Sequence, residues 1–133
     1  MSPLVHVVAG ALFDAAGRVL IAQRPAGKHM AGGWEFPGGK LDEGEDALAG
    51  LKRELREELG IEAHAAQRLL SYEHAYSDRS VLLDLWLVTR FSGEPQSLDA
   101  QALQWVDLDQ LEHVGLLEAD RPMIAALRAA CLR

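Results

Sequence analysis

Two kinds of hydrophobic pattern divide the chain. Residues 4–13 are apolar almost without interruption, which predicts a β-strand covered on both faces. Between residues 45 and 59 the apolar positions instead recur every three or four residues, the spacing of one buried helix face. These positions are Leu48, Leu51, Leu55 and Leu59. Gly60 follows them, where a left-handed helix cap favours a residue without a Cβ, so the pattern predicts a helix with a defined end.

The segments on either side of this helix predict further strands. A turn signal at residues 14–17 predicts a hairpin, with residues 18–23 as its second strand. Residues 24–39 are polar and rich in glycine, which predicts a loop with no long element. Beyond the helix, the apolar stretches predict strands at residues 65–74, 81–91 and 104–106.

The C-terminal part predicts two helices. Asp107 and Gln110 form a capping-box pattern that opens a short helix. Residues 120–132 predict a longer helix with Pro122 in its first turn, and Cys131 is expected on its buried stripe. Strands flanked by two substantial helices predict an α/β fold, an α/β/α sandwich with a mixed β-sheet between the helices.

Length, charge and cysteine content limit the function classes. The 133 residues suffice for one domain with its own core, and we expect residues 1–133 to form it. A net charge of −7 argues against a nucleic-acid partner, which needs a basic surface. No membrane association is expected, because no apolar run spans a bilayer and the N-terminus lacks a basic start. A single cysteine excludes an internal disulfide and favours a reducing cytoplasm.

The acidic residues of the central helix are not explained by structure alone. Glu54, Glu57 and Glu58 lie on one side of the helix, where like charges repel by about 0.2–0.5 kcal/mol per pair. Clustered carboxylates become favourable when they share a hard divalent cation such as Mg²⁺, which prefers oxygen ligands. A solvated acidic face, relieved by Arg53 and Arg56, is the alternative interpretation.

The spacing around these acids matches a known motif throughout. The fixed positions are Gly39, Glu45, Arg53-Glu54-Leu55, Glu57-Glu58 and Gly60-Ile61. With these residues the chain resembles the Nudix hydrolases, which cleave nucleoside diphosphates linked to another moiety. The resemblance implies the same α/β/α fold, a divalent metal and a small nucleotide substrate.

Segments outside the motif resemble the MutT branch of that family. They include Gln23-Arg24, His29-Met30-Ala31, Glu35 to Lys40, Asp78-Arg79, Gly93-Glu94-Pro95 and Ala119 to Pro122. Proteins of the MutT branch hydrolyse 8-oxo-dGTP to its monophosphate and pyrophosphate, which keeps an oxidised guanine out of DNA. The resemblance therefore implies a small-molecule nucleoside triphosphate as substrate, and we expect a monomeric enzyme.

The same resemblance assigns roles at the metal end. Glu54, Glu57 and Glu58, with the backbone carbonyl of Gly38, would hold Mg²⁺, with Mn²⁺ as an alternative. Arg53 would orient one of the glutamates. Asp99 falls where the family has an acid that contacts the metal or serves as the general base, and it is one methylene shorter than the family's Glu.

Seven residues are candidates for contacting the substrate. They are Arg24, His29, Gly38, Lys40, Tyr76, Arg79 and Asp120. MutT has Asn at the position of Asp120; an ionised Asp accepts hydrogen bonds at a base edge but cannot donate them unless it is protonated. Capping of the last helix is the alternative role for Asp120.

Two alternatives to 8-oxo-dGTP hydrolysis follow from the resemblance. Related Nudix enzymes act on CTP or oxidised pyrimidine nucleotides, and Gln101 to Trp105 and Asp120 resemble those enzymes as well. A non-catalytic nucleotide sensor on the same fold is the second alternative. Such sensors lack one or more of the motif's acids, whereas this chain has all of them.

Overall fold

A computed structural model describes residues 4–131. Over that range the strands are β1 (Leu4–Ala11), β2 (Val19–Gln23), β3 (Trp34–Glu35), β4 (Gly38–Lys40), β5 (Glu62–Ala75), β6 (Ser80–Ser92) and β7 (Ala102–Val106). The α-helices are α1 (Ala47–Leu59) and α2 (Pro122–Cys131), and 3-10 helices span Leu108–His113 and Glu118–Asp120. None of the helices in this range is long and apolar enough to cross a membrane.

The strands form two sheets. One is mixed, with the order β4-β1-β6-β5, in which β1 and β6 are parallel and the other pairs antiparallel. The other is antiparallel, with the order β3-β2-β7. The predicted mixed sheet is confirmed, whereas the second sheet was not predicted. Its strand β3 and the edge strand β4 both lie in the segment predicted to be a loop.

The predicted turn and both predicted strands are present, but the two strands do not pair with each other as a hairpin. Asp14 donates its backbone N–H to the carbonyl of Arg18, and Phe13 bridges to Val19. Beyond that bridge the two strands separate, because β1 pairs with β6 along its whole length and β2 pairs with β7. The turn therefore connects the two sheets.

Helix α1 has the ends and the buried face that its sequence predicts. Asp46 caps the N-terminus by accepting a hydrogen bond from the backbone N–H of Ala49 at 3.2 Å. Gly60 ends the helix at φ 70°. The three leucines Leu51, Leu55 and Leu59 are fully buried, and Leu48 is half-buried beside them.

The two helices cover opposite sides of the sheets. The leucines of α1 pack with Val8, Leu20 and Trp86 in one hydrophobic cluster. The residues Met123, Ile124 and Leu127 of α2 pack with Ile21 and Leu85 in a second cluster. Because Leu85 and Trp86 are neighbours in β6, successive side chains of that strand enter different clusters, as strand geometry requires.

The C-terminal part departs from the prediction in three respects. Helix α2 begins at Pro122 rather than at residue 120, and its predicted end at residue 132 lies outside the described residues. The short helix after β7 is a 3-10 helix, and the Asp107 side chain makes no capping hydrogen bond, so the capping box is not formed. Cys131 is exposed, because α2 presents its more N-terminal residues Met123 and Leu127 to the core.

His6, in the inner strand β1, has a structural partner. Its Nε2 lies 2.6 Å from Oδ2 of Asp84, a carboxylate that is almost completely buried in β6. Arg68 contacts the same oxygen at 3.4 Å, and its guanidinium lies over the ring of Trp86. His6 therefore makes a structural contact within the sheet.

Gly38 is required by the close approach of β4 to β1, and its substitution tests this contact. In Gly38→Ala the new Cβ would overlap the carbonyl oxygen of Val8 and lie 2.9 Å from Cα of Ala9. Because both neighbours are backbone atoms, we expect a loss of unfolding free energy about 2 kcal/mol larger than for Gly44→Ala. Gly44 is a matched control, since its φ is +76° but its Cβ would meet open space. Equal losses for the two variants, measured by urea unfolding, would contradict the close approach.

Candidate active site

A cleft of about 440 Å³ opens between the mixed sheet and the segment that precedes α2. It is lined by eight of the predicted site residues: Arg24, His29, Gly38, Lys40, Glu58, Tyr76, Arg79 and Asp120. These residues come from the loop between β2 and β3, β4, the last turn of α1, the turn between β5 and β6, and the 3-10 helix at residue 120. Valines of β1 and Leu83 of β6 form its apolar wall. The fold therefore brings residues that are distant in sequence into one cavity.

The remaining predicted residues lie beside the cleft. Glu54, Glu57 and Arg53 are on the adjacent face of α1, outside the lining of the cleft. Asp99 lines a neighbouring crevice of about 50 Å³ together with Glu58 and Gly38. Asp99 and the helix acids are thus connected to the cleft through Glu58 and Gly38.

Arg53 is the centre of an ion-pair network on α1. Its Nε and Nη2 donate to the carboxylate of Glu45 at 2.8 and 2.9 Å. Its Nη1 donates to Glu54 and to Glu57, each at 3.1 Å, and its Nη2 also donates to the carbonyl of Lys40. One guanidinium therefore holds three carboxylates and the end of β4 in a fixed arrangement.

Glu45, one of the fixed positions of the motif, is part of this network. It lies before the N-cap, and it accepts a hydrogen bond from the backbone N–H of Asp42 in addition to those from Arg53. The hydrogen bonds from Arg53 lower the pKa of Glu45 to about 2. Glu45 therefore serves to hold Arg53.

The negative charges of the acids next to the cleft are only partly neutralised by nearby cations. Glu58 turns away from Arg53 and accepts a hydrogen bond from the backbone N–H of Gly38 at 3.2 Å. Burial, together with the nearby carboxylates of Glu54, Glu35 and Asp99, raises the pKa of Glu58 to about 8. Burial also raises the pKa of Glu54, against the opposing effect of Arg53. The site thus gathers more negative charge than its cations neutralise.

This excess charge fits a divalent cation. Over residues 4–131 no three His, Cys, Asp or Glu side chains already form a ligand set, and Glu57 is 58 % exposed. The donors are nevertheless carboxylate oxygens and a strand carbonyl, which hard cations prefer. A cation near Glu58 would offset the like charges that raise its pKa. The chemistry of these donors therefore fits a divalent metal.

Arg24, a candidate for contacting the substrate, is paired with an acid of the cleft. Its Nε and Nη2 donate to the two carboxylate oxygens of Glu35 at 3.0 and 3.1 Å, and its Nη1 donates to the carbonyl of His29. Such a bidentate pair fixes both side chains. Arg24 therefore holds Glu35 and the loop that carries His29 against the cleft.

Asp120 is buried in the wall of the cleft and does not cap α2. Its Oδ2 accepts a hydrogen bond from the backbone N–H of Phe36 at 3.0 Å. The side chain is 6 % exposed, and burial raises the pKa of Asp120 to about 7. The capping alternative is wrong, because α2 begins two residues later.

The other cations of the cleft have no carboxylate partner among the described residues. Arg79 has a buried Nε without a hydrogen-bond partner, and Lys28 and Lys40 are exposed at the rim. Tyr76 lies between two histidine rings, with ring centroids 6.0 Å from His29 and 4.7 Å from His74 in edge-on geometry. The mouth of the cleft therefore combines positive charge with aromatic surface.

Sequence reasoning missed several residues that shape the site. Glu35 and Phe36 lie within the MutT-like segment but carried no predicted role. Lys28 lines the cleft from the Gly-rich loop. Tyr72 donates its hydroxyl to the carbonyl of Ala119 and so holds the turn that carries Asp120. The position of Glu35 in the matched segment was the one usable signal, since the Tyr72 contact depends on tertiary structure.

Comparison with known proteins places the chain in a family. A model of the NUDIX domain matches residues 8–126. The chain is 40% identical over 126 residues to the CTP pyrophosphohydrolase of Escherichia coli (strain K12), covering 95% of this chain and 93% of that protein. It is 34% identical over 124 residues to the 8-oxo-dGTP diphosphatase of the same organism, covering 93% and 96%.

A solved structure agrees with the fold. The crystal structure of a MutT NUDIX hydrolase from Burkholderia pseudomallei superimposes with a TM-score of 0.84 at 30% identity, covering 94% of this chain and 98% of that one. The predicted α/β fold is thereby confirmed. The family model and the relatives identify the same family, and the cleft with its acidic helix agrees with it. The chain therefore belongs to the NUDIX family of hydrolases.

Proposed function

We propose that this chain is a metal-dependent nucleoside triphosphate pyrophosphohydrolase that converts 8-oxo-dGTP to 8-oxo-dGMP and pyrophosphate. The observation that carries the choice of base is Asp120, a buried carboxyl in the cleft wall whose pKa lies near 7. The named activity of the E. coli relative supports the same substrate.

Asp120 meets the chemical requirement for recognising an oxidised guanine by hydrogen bonds. Its Oδ2 is held by Phe36, so the carboxyl has a fixed orientation in the cleft. A protonated carboxyl both donates and accepts hydrogen bonds, as an Asn amide does. With the pKa of Asp120 at about 7, a large fraction of the molecules carries this proton at neutral pH. The protonated carboxyl can donate a hydrogen bond to guanine O6, which an ionised Asp cannot do.

The phosphate end would lie toward α1 and β4. Nudix hydrolases are divalent-metal dependent, and the homologues act on small nucleotide substrates. Mg²⁺, or Mn²⁺ in its place, held by Glu54, Glu57, Glu58 and the carbonyl of Gly38, would neutralise the triphosphate and make water a better nucleophile. The unpaired cations Arg79, Lys28 and Lys40 would contact phosphate oxygens.

The chain's own residues would organise the reaction. Water attacks the β-phosphorus, the bond from that phosphorus to the oxygen bridging the α- and β-phosphates breaks, and the nucleoside monophosphate leaves. Arg53 keeps Glu54 and Glu57 in place through its network. Asp99, close to Glu58, would accept the proton of the water.

CTP hydrolysis is the second candidate, and a specific observation favours it. The E. coli CTP pyrophosphohydrolase is 40% identical over almost the whole chain. An ionised Asp120 is a pure acceptor and suits the exocyclic amino group of cytosine, which is a donor. The protonation state of Asp120 thus separates the two candidates, because oxidised guanine needs the acid form and cytosine the carboxylate.

The remaining expectations are part of the same proposal. Both hydrophobic clusters extend across the described elements, which supports one domain. The net charge of −7 supports a small-molecule partner rather than a nucleic acid. The monomeric state and the cytoplasmic location rest on the sequence expectations alone.

A nucleotide panel tests the proposed reaction. Pyrophosphate release with Mg²⁺ is measured for 8-oxo-dGTP, dGTP, CTP and 5-hydroxy-dCTP. We expect the highest kcat/KM for 8-oxo-dGTP, and a loss of about 100-fold in Glu54→Gln because a metal ligand is removed. Glu112→Gln, which loses only an exposed ion pair with Arg128, is the control and keeps full turnover.

Each other outcome of the panel has a defined meaning. A higher kcat/KM for CTP moves the assignment to the second candidate. Binding of nucleotides without turnover supports a sensor. Full turnover by Glu54→Gln, or by enzyme stripped of metal with a chelator, contradicts the metal-dependent mechanism.

The buried carboxyl of Asp120 predicts a pH-dependent stability. Its pKa is about 7 in the folded protein and about 4 in the unfolded chain, so the folded state binds the extra proton between these values. The resulting destabilisation is absent below pH 4, grows as the pH rises, and is complete above pH 7. We expect Asp120→Asn to increase the unfolding free energy by about 2 kcal/mol more at pH 8 than at pH 5.5.

Chemical unfolding at the two pH values measures this difference. Asp109→Asn, at an exposed position in the 3-10 helix after β7, is the control and shows no such pH dependence. An equal effect of Asp120→Asn at both pH values would mean that Asp120 titrates in its ordinary range.

A further inference from the structure

We propose that Gln101 is a positioning residue that fixes Asp99 against the last turn of α1. The inference rests on the function proposed above, in which Asp99 accepts a proton from the attacking water. No role was predicted for Gln101 at the site, and its side chain does not line the main cleft.

The amide of Gln101 joins Asp99 and Glu58, two of the acids that line the crevice, through their backbones. Its Oε1 accepts a hydrogen bond from the backbone N–H of Asp99 at 2.9 Å. Its Nε2 donates to the backbone carbonyl of Glu58 at 3.3 Å. One planar side-chain group, 7 % exposed, therefore sets the separation between Asp99 and Glu58.

The loop before β7 depends on this amide for its shape. Leu98 donates its backbone N–H to the carbonyl of Glu58, and Ser97 donates its hydroxyl to Gln101. Ala100, between Asp99 and Gln101, has a φ of 58°, which is an unfavourable conformation for a residue with a Cβ. Such a conformation persists where surrounding contacts enforce it, and the Gln101 bonds span this residue.

Asp99 has no other side-chain anchor in the part of the chain that the structure describes. Its carboxylate is exposed and accepts no hydrogen bond from the residues there, so its position follows from its backbone. The crevice that Asp99 shares with Glu58 and Gly38 is only about 50 Å³. Within so small a space, a shift of about 1 Å is enough to cost two orders of magnitude in rate.

A purely structural role for Gln101 predicts a different behaviour. Gln101 also satisfies buried polar groups, and their loss would lower the stability of the protein without selecting one kinetic step. If Gln101 instead acts through Asp99, its removal has no effect once Asp99 has lost its function. A double-mutant cycle between the two positions therefore separates the two roles.

The test uses Gln101→Met, which keeps the length of the side chain but removes the hydrogen bonds of the amide to Asp99, Ser97 and Glu58. It also uses Gln101→Asn, which keeps the amide but shortens its reach. Thr89→Val is the matched control, since it loses one side-chain hydrogen bond, to the carbonyl of Ala65, away from the site. Each variant is made in the natural chain and in Asp99→Asn. The kinetics use whichever nucleotide of the panel the natural chain hydrolyses fastest.

We expect the Gln101 substitutions to lower kcat, and to do so only in the chain that keeps Asp99. Gln101→Met lowers kcat about tenfold with KM changed less than about twofold, and Gln101→Asn lowers it in the same direction. In Asp99→Asn neither substitution changes kcat by more than about twofold. The ¹⁵N–¹H signal of the Asp99 amide moves upfield in both variants, while Thr89→Val changes neither kcat nor this signal.

Two results overturn the inference. One is an equal loss of kcat in both backgrounds, which means that Gln101 acts independently of Asp99. The other is an unshifted Asp99 amide signal in both Gln101 variants, which means that the hydrogen bond does not hold the loop. A natural chain that hydrolyses no nucleotide of the panel instead contradicts the proposed function, and the amide signal still decides whether Gln101 holds Asp99.

Discussion

The site is built on the burial of carboxylates that lack sufficient positive charge. Burial and neighbouring acids raise the pKa of Glu58 to about 8, and burial raises the pKa of Asp120 to about 7. A fold selected only for stability would replace these groups with apolar residues, because uncompensated buried charge is costly. The proposed function accounts for their presence in one cleft by a cation beside Glu58 and a nucleobase beside Asp120.

The rest of the structure holds these carboxylates in place. The mixed sheet brings Gly38 against β1, so that its N–H reaches Glu58. Arg53 organises the acids of α1, and Arg24 does the same for Glu35 on the second sheet. The only arginine of the cleft with an unpartnered buried nitrogen within residues 4–131 is Arg79. Two arginines are therefore used for positioning, and Arg79 and the rim lysines are the cations proposed to contact the substrate.

The sequence predicted the parts of the fold that depend on local pattern. The leucine spacing and Gly60 placed α1 correctly, and the motif placed its acids on one helix face. The second sheet was not predictable, because β1 and β2 separate after an ordinary turn signal. The roles of Arg24 and Asp120 were likewise hidden, since their partners Glu35 and Phe36 are chosen by tertiary contacts. Cys131 lies on a periodic stripe at the end of α2, where no core remains to cover it.

The thermal stability of Glu58→Gln, with and without Mg²⁺, tests most directly whether the acids are kept for a cation. Without metal, removing the buried acid is expected to stabilise the protein by about 1–3 kcal/mol near pH 7. With Mg²⁺ at about one hundred times its dissociation constant, the natural chain gains about 2.7 kcal/mol and the variant much less. The difference between the two melting temperatures is therefore expected to close or reverse on adding Mg²⁺. A variant that melts below the natural chain in both conditions, by the same margin, would contradict the claim.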